Sequence, residues 1–318
     1  TMGQKKSTEF VDISHDDEER DPSRPKMGFC TKKGEMTSWS TEGLLSGNKE
    51  DRRSLVSFQG TYTLIAGQIE GECHEGTFVG TGQIFFNQDY GVKSVLTCAH
   101  NVVGLTVTKS WVPFDNLIFY NQRLGPHTFT AKIPLVKAVV HPKYDGSPAC
   151  GYDIAVCFAK DKNFNTTQNA SNDTPENYGT YEEVGYRSRA NAEELTPELA
   201  LEICGYPGDK NGYPYVHQGP FVGAMQTKLG GCIITYKVDT TPGQSGSKVT
   251  VVDEEWVAAE KKREPAPWKT EKHRKCTVAI HTGNDPVGGV NFGTLITEEI
   301  HLWLRNVVED YSKMPPVN

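Results

Sequence analysis

Residues 92–100 read VKSVLTCAH, a short β-rich run that ends in a histidine. Runs of this kind recur from about residue 55 onward and are separated by turn residues. They are SFQGTYTLI (57–65), TFVGTGQIFF (77–86), VKSVLTCA (92–99), AKIPLVKAVV (131–140), DIAVCFA (153–159), GCIITYKV (231–238), KVTVV (248–252) and CTVAIHT (276–282). Branched and aromatic residues between frequent turns favour short strands, so the pattern predicts an all-β barrel or sandwich.

The two ends of the chain differ from this β-rich body. Residues 1–53 are polar and lack periodicity, which predicts an N-terminal extension or pro-segment before a domain at 54–318. Residues 297–311, TEEIHLWLRNVVEDY, place apolar side chains at helical spacing behind Thr297, a residue that can cap a helix. We expect one C-terminal α-helix, whose buried face comprises Ile300, Leu304, Val307, Val308 and Tyr311.

The composition excludes several classes of function. The 318 residues carry a formal net charge of -7. Because nucleic-acid-binding domains concentrate Lys and Arg on one face, we expect no nucleic-acid partner. No run approaches the roughly eighteen apolar residues that span a bilayer. The eight cysteines are scattered and form no CxxC pair, so the spacing predicts neither a particular disulfide pattern nor a metal site.

Two motifs give opposite indications of location. MGQKKS (2–7) fits the myristoylation pattern, with Gly3 as acceptor and neighbouring lysines as an electrostatic membrane signal. Because Thr1 precedes the methionine, a cloning remnant explains the motif equally well. We expect a cytoplasmic protein tethered to a membrane surface through acylated Gly3; secretion is the alternative. The alternative draws on three glycosylation sequons, at Asn165, Asn169 and Asn172.

A candidate nucleophile lies in DTTPGQSGSKV (239–249), where Ser245 is followed by Gly246 and has Gly243 two positions before it. A serine hydroxyl is a weak nucleophile, so catalysis requires a histidine to take its proton and a carboxylate to orient that histidine. His100 ends one apolar run, and Asp153 immediately precedes another. Each residue alone is compatible with an ordinary turn, strand end or cap. Their occurrence together, in a β-rich chain, predicts a catalytic triad.

Three segments resemble the signatures of chymotrypsin-fold serine endopeptidases: LTCAH (96–100), the HPKY and YDIAV segments (141–156) and GQSGS (243–247). The resemblance covers about residues 55–310. It implies two six-stranded antiparallel β-barrels, a protein or peptide substrate, and catalysis without a cofactor. It also implies that Ser245 is the nucleophile, His100 the general base and Asp153 the orienting carboxylate.

The resemblance further implies an oxyanion hole formed by the backbone N–H groups of Gly243 and Ser245. One departure concerns activation. Trypsin-like zymogens carry an aspartate just before the nucleophile, which receives a freed N-terminus, but Gln244 occupies that position. The resemblance therefore gives no support to activation through that ion pair. In the V8-like branch a freed N-terminal amine helps to bind the acidic side chain of the substrate, so we hypothesise that trimming of residues 1–53, near Arg52 and Arg53, completes the pocket.

The specificity pocket has two readings. Asp239 matches the carboxylate with which trypsins bind Arg or Lys. Thr240 and His281 instead match positions that hold a substrate carboxylate in glutamyl endopeptidases, and AIHTGN (279–284) is similar to that V8-like branch. Thr282 and Gly283 would pair with the substrate backbone. We predict cleavage after Glu; the alternatives are trypsin-like cleavage and a non-catalytic binding or signalling module.

Overall fold

The computed structural model describes the β-rich body of the chain and its C-terminal helix. The described residues are 11–12, 53–56, 66–73, 76–87, 91–105, 111–162, 197, 199–252, 276–285 and 288–315. The run at 57–65, Gly3, Arg52 and the three sequons lie outside them. No helix within these ranges is long and apolar enough to cross a membrane.

Sixteen strands and one α-helix are named here in chain order. They are β1 (Val11–Asp12), β2 (Ser54–Leu55), β3 (Ala66–Cys73), β4 (Gly76–Asn87), β5 (Val92–Thr97), β6 (Val103–Leu105), β7 (Trp111–Pro113), β8 (Asp115–Asn121), β9 (Ala131–Val140), β10 (Ala155–Ala159), β11 (Ala200–Gly205), β12 (Tyr215–Gln226), β13 (Cys232–Tyr236), β14 (Lys248–Val251), β15 (Cys276–Asp285), β16 (Val290–Leu295) and α1 (Glu298–Ser312).

Twelve of these strands form two closed antiparallel barrels. The first has the order β9–β10–β5–β4–β3–β8, with β8 paired back onto β9, and β1 adds to its outside. The second has the order β11–β14–β15–β16–β13–β12, with β12 paired back onto β11, and β2 adds to β12. Closure leaves each barrel without an unpaired edge. The predicted pair of six-stranded barrels is confirmed.

Three apolar clusters stabilise this architecture. One fills the first barrel around Ile69 and Phe119, and another fills the second barrel around Ile234 and Val249. The third packs α1 against the outer face of the first barrel. The predicted helix is confirmed, because Thr297 accepts a hydrogen bond from the third residue of the first turn, and the five predicted positions are the buried ones.

Candidate active site

His100 and Asp153 meet because strands β5 and β10 are neighbours in the first barrel. Ala155 of β10 pairs with Thr97 of β5, so the segment that follows β5 lies beside the segment that precedes β10. The Asp153 carboxylate is fully buried. Its Oδ2 lies 2.6 Å from His100 Nδ1, and its Oδ1 accepts the His100 backbone N–H at 3.0 Å.

This pairing fixes the protonation pattern of the imidazole. An ionised carboxylate can only accept hydrogen bonds, so the short contact requires a proton on Nδ1 of His100. Nε2 of the neutral ring then carries a lone pair and can act as a base. The Cys98 thiol lies 3.5 Å from Nε2. The contact with Asp153 therefore orients the imidazole of His100.

Ser245 lies in a tight loop that connects β13 to β14. The loop is built from two turns, in which Gln244 N–H donates to Thr241 O at 3.1 Å and Ser247 N–H donates to Gln244 O at 3.0 Å. Gly243 and Gly246 have φ angles of 97° and 90°, a region that favours glycine. Ser245 itself is half-buried.

The loop docks against the residues around His100 through its backbone. Ser245 O accepts the side-chain amide of Asn101 at 2.8 Å and the backbone N–H of Thr81 at 2.8 Å. Within the described residues, Ser245 Oγ makes no hydrogen bond, either to His100 or to another group. In unliganded sites the bond between nucleophile and base is often long and tightens when substrate binds.

The loop also presents two backbone donors. Pro242 O accepts the Gly208 N–H at 2.7 Å, and a planar trans peptide then directs the Gly243 N–H to the opposite side. The Gln244 carbonyl is engaged in the same way by Ser247. Neither Gly243 N–H nor Ser245 N–H donates to any group that the structure describes. Both donors are therefore available to an oxyanion.

His281 lies in β15 and is almost completely buried. Its Nδ1 is 2.8 Å from the Tyr236 hydroxyl and 3.1 Å from Phe292 O. Burial lowers the pKa of His281 to about 3, with the Phe292 carbonyl opposing this effect and the charge of His100 adding to it. The imidazole is therefore neutral at physiological pH.

The tautomer of His281 follows from the needs of Tyr236. That tyrosine has no exposed surface, and His281 Nδ1 is the acceptor that the described residues offer to its hydroxyl proton. Leaving a buried hydroxyl unsatisfied is costly. We assign Nδ1 as the acceptor of this proton, which places the proton of His281 on Nε2. Nε2 donates to no described residue.

The other predicted pocket residues are buried as well. Asp239 is fully buried, with 0% exposure, whereas Thr240 and His281 retain 2% and 3%. Asp239 N–H donates to His217 Nδ1 at 2.6 Å, and its carboxylate lies 3.7 Å from the same nitrogen. Thr240 makes no side-chain hydrogen bond within the described part of the chain.

Thr282 and Gly283 follow His281 along β15. The Thr282 hydroxyl donates to Pro148 O at 2.9 Å, which ties β15 to the loop that leads to Asp153. Gly283 packs over the Phe292 ring, so that a β-carbon there would lie 2.9 Å from it. The register with β16 is irregular between His281 and Gly283. Thr282 therefore has a structural contact in addition to its predicted substrate role.

A cluster of metal-ligating side chains coincides with the candidate base. Ligand atoms of Cys98, His100 and Asp153 lie within 4.8 Å of one another. Both Asp153 oxygens already accept hydrogen bonds from His100. Of this cluster, the Cys98 thiol and His100 Nε2 are the two atoms not engaged in the contact between His100 and Asp153. Two ligands are fewer than the three or four protein ligands of ordinary zinc sites.

Several residues that support the site were not predicted as site residues. Thr81, flanked by glycines in GTG (80–82), belongs to the first barrel and contacts Gly243 in the loop that contains Ser245, called the nucleophile loop below. Tyr236 contacts His281, and Asp209 contacts Thr241 at 2.9 Å. Threonine, tyrosine and aspartate at these positions resemble ordinary strand and turn residues, so only the glycines around Thr81 indicated a close approach of two segments.

Comparison with known proteins identifies the fold. No family model and no curated protein sequence matches the chain. A solved structure of a Glu endopeptidase in complex with MPD aligns with a TM-score of 0.53 at 20% identity, over 82% of this chain and 98% of that one. The thermostable serine protease AL20 from an extremophilic microorganism aligns with a TM-score of 0.52 at 12% identity, over 80% and 100%.

A third neighbour is the protease Anisep from Arthrobacter nicotinovorans, with a TM-score of 0.50 at 12% identity, over 77% of this chain and 95% of that one. These neighbours are chymotrypsin-fold serine proteases. At such identities the likeness establishes the fold alone, and activity has to be argued from the residues of this chain.

Proposed function

We propose that this protein is a serine endopeptidase that hydrolyses peptide bonds through an acyl-enzyme. The observation that carries the proposal is the buried contact of His100 Nδ1 with Asp153, together with the hydrogen bond that the next residue, Asn101, donates to Ser245 O. An oriented imidazole next to a serine is the minimum that activates a hydroxyl nucleophile.

In the proposed reaction the Ser245 oxygen attacks the scissile carbonyl while His100 Nε2 takes the hydroxyl proton. The carbonyl oxygen becomes an oxyanion, which receives hydrogen bonds from Gly243 N–H and Ser245 N–H. His100 then returns the proton to the leaving amine, and an acyl-serine remains. Water repeats the sequence and releases the acid, so no cofactor is required.

We further propose that the residue before the cleaved bond is glutamate. The proton on Nε2 of His281 and the Thr240 hydroxyl are two donors without described partners, and a substrate carboxylate would accept from both. The neutral imidazole still serves, since a neutral N–H donates to an anion. Cleavage after Arg or Lys is the alternative, with Asp239 as the carboxylate that would pair with the substrate cation.

A digest of a peptide library tests both levels of the proposal. The full chain and Ser245→Ala would be compared, with the cleaved bonds identified by mass spectrometry. Cuts after Glu that disappear in the alanine variant are expected. Cuts after Arg or Lys would assign specificity to Asp239 instead. The absence of any Ser245-dependent cut, both by the full chain and by a chain trimmed of residues 1–53, would favour a protease-like binding module.

A further inference from the structure

Arg53 belongs to the segment before the barrels, yet its side chain is buried beside the nucleophile loop. Only 7% of Arg53 is exposed, whereas Leu55, two residues later, is 56% exposed. The strand β2 that follows Arg53 pairs with β12 through Leu55↔Tyr215 and Ser54↔Val216. This pairing places Arg53 beside the second barrel.

The guanidinium joins two separate segments. Its two terminal nitrogens donate to the two oxygens of the Asp209 carboxylate, at 3.1 and 2.8 Å. One of them also donates to the Thr241 hydroxyl at 2.7 Å, and that hydroxyl in turn donates to Asp209 at 2.9 Å. Bidentate arginine–carboxylate pairs combine high strength with defined geometry.

Both segments shape the loop that contains Ser245. Gly208, the neighbour of Asp209, donates its N–H to Pro242 O, the bond that orients the Gly243 N–H. Thr241 begins the turn that Gln244 closes, and Gln244 Oε1 accepts the Thr241 N–H at 3.0 Å. Arg53 is therefore connected to the loop of the candidate oxyanion donors through Asp209 and Gly208 on one side and through Thr241 and Gln244 on the other.

The charges support this connection. Arginine stays protonated at any physiological pH. Burial opposes ionisation of Asp209, but the hydrogen bonds and charge of Arg53, together with Thr241 and Lys210, hold the pKa of Asp209 below its ordinary value. Gln244, at the position where zymogens carry an aspartate, offers no negative charge. The ion pair of this region is formed by Arg53, whose side chain is buried, and the partly exposed Asp209.

We propose that Arg53 is a positioning residue that orders the nucleophile loop of the uncut chain, so that activity requires no freed N-terminus. The inference rests on the proposed endopeptidase function. It is the reverse of the hypothesis that removal of residues 1–53 activates the protein, because that cut would separate the cation from its partners. The buried side chain also protects the bond after Arg53 from basic-specific proteases.

The test compares Arg53→Ala and Arg53→Lys with Lys210→Ala in the full chain. Lys210 is a matched control, because its Nζ lies 3.7 Å from the same carboxylate. The hydrogen bond to the Thr241 hydroxyl comes from Arg53. The readouts are kcat, KM, the rate of Ser245 labelling by a fluorophosphonate, and the unfolding temperature.

We expect Arg53→Ala to lower kcat and the labelling rate by roughly 10- to 100-fold, the loss typical of a buried charged hydrogen bond, while KM changes little. Added guanidinium at millimolar concentration should restore part of kcat, which a purely structural loss of stability would not show. Arg53→Lys should be intermediate, because an ammonium cannot form the bidentate pair. Lys210→Ala should behave like the parent chain.

The proposal is overturned if folded Arg53→Ala keeps the parent kcat and labelling rate. Should that variant fail to fold, Thr241→Val and Thr241→Ser provide the same decision: equal rates for the two would refute the proposal, and a selective loss in the valine variant supports it. If the parent chain neither cleaves peptides nor labels at Ser245 while a chain trimmed of residues 1–53 does both, the Arg53 proposal is refuted in favour of activation by trimming. Inactivity of both chains refutes the endopeptidase proposal itself.

Discussion

The Thr81 hydroxyl donates a hydrogen bond of 2.8 Å to the carbonyl of Gly243, across the junction of the two barrels. The Thr81 hydroxyl oxygen also accepts the Tyr206 N–H at 2.9 Å, and the Thr81 backbone N–H donates to Ser245 O at 2.8 Å. Thr81 is fully buried. A single residue of β4 therefore holds the candidate nucleophile loop at two points.

Replacing Thr81 by valine should impair both stability and catalysis. The isosteric side chain leaves Gly243 O and Tyr206 N–H without their partner, which costs on the order of 2 kcal/mol of unfolding free energy. We expect kcat to fall about tenfold as well, because the carbonyl next to the oxyanion donors is released. Denaturant unfolding and steady-state kinetics measure the two effects.

Thr81→Ser is the matched control, since it keeps the hydroxyl and removes only a methyl group. It should retain most of kcat. If the valine variant were destabilised but equally fast per folded molecule, the bond to Gly243 would be purely structural.

Asp153→Asn should abolish most activity while leaving the fold intact. The asparagine oxygen can still accept the His100 backbone N–H, but its amide must donate to Nδ1. The imidazole proton is then driven to Nε2, which can no longer act as a base. We expect kcat to fall by about 10⁴. Active-site kinetics and a thermal unfolding curve would be compared, and a loss below tenfold would contradict the assigned role.

Gly243→Ala should damage the loop by contact as well as by backbone strain. A β-carbon would lie 2.6 Å from Gly208 N and 2.7 Å from Tyr206 O, with φ at 97°. Gly91 provides the control, because its φ is 60° and no atom of the described residues lies within 4 Å of an added β-carbon. Gly91→Ala should cost only about 1 kcal/mol of stability.

We expect Gly243→Ala, in contrast, to lose at least about 100-fold in kcat/KM, the size of effect produced by loss of one oxyanion donor. Kinetics corrected for the folded fraction separate the two variants. Similar kcat/KM values for both would mean that the close approach of Gly208 to the loop is not needed for activity.

The sequence predicted strands β4, β5, β9, β10, β13, β14 and β15, and missed others that include β3, β8, β11, β12 and β16. The described part of the chain contains β5, β9, β10 and β13 where dense Val, Ile and Ala runs indicated them. Strand β12, YVHQGPFVGAMQ, was missed because its glycines and proline resemble a loop. Closure of a barrel overrides these local preferences, since the strand pairs on both sides.

The candidate site was predictable only where it depends on local motifs. His100 and Asp153 each adjoin an apolar run, and their contact follows from strand pairing. Arg53 was interpreted only as part of a cleavage site, because its partner Asp209 lies 156 positions away. Such long-range pairs leave no periodic signal in one sequence.

Tyr236→Phe should weaken discrimination for glutamate. Without the hydroxyl, Nδ1 of His281 can carry the proton and donate to Phe292 O, which lies 3.1 Å away. Nε2 then presents a lone pair to the substrate carboxylate. We expect the ratio of kcat/KM for Glu over Gln substrates to fall roughly 5- to 10-fold, the equivalent of about one hydrogen bond. An unchanged ratio would show that His281 does not contact the substrate carboxylate.

His281 should make the fold sensitive to acid. Its pKa is about 3 in the folded protein because of burial, compared with about 6.5 in an unfolded chain. Between these values the unfolded chain binds a proton that the folded protein does not, so stability rises with pH and is lost as pH falls from 6.5 towards 3.

Replacing His281 by Gln removes this titration and leaves all other ionisable groups in place. Near pH 4 to 5 the unfolding free energy of the parent chain should therefore depend on pH more steeply than that of the variant, by about 1.4 kcal/mol per pH unit. Urea unfolding at several pH values measures both slopes, and parallel slopes would mean that His281 takes up its proton equally in the folded and unfolded states.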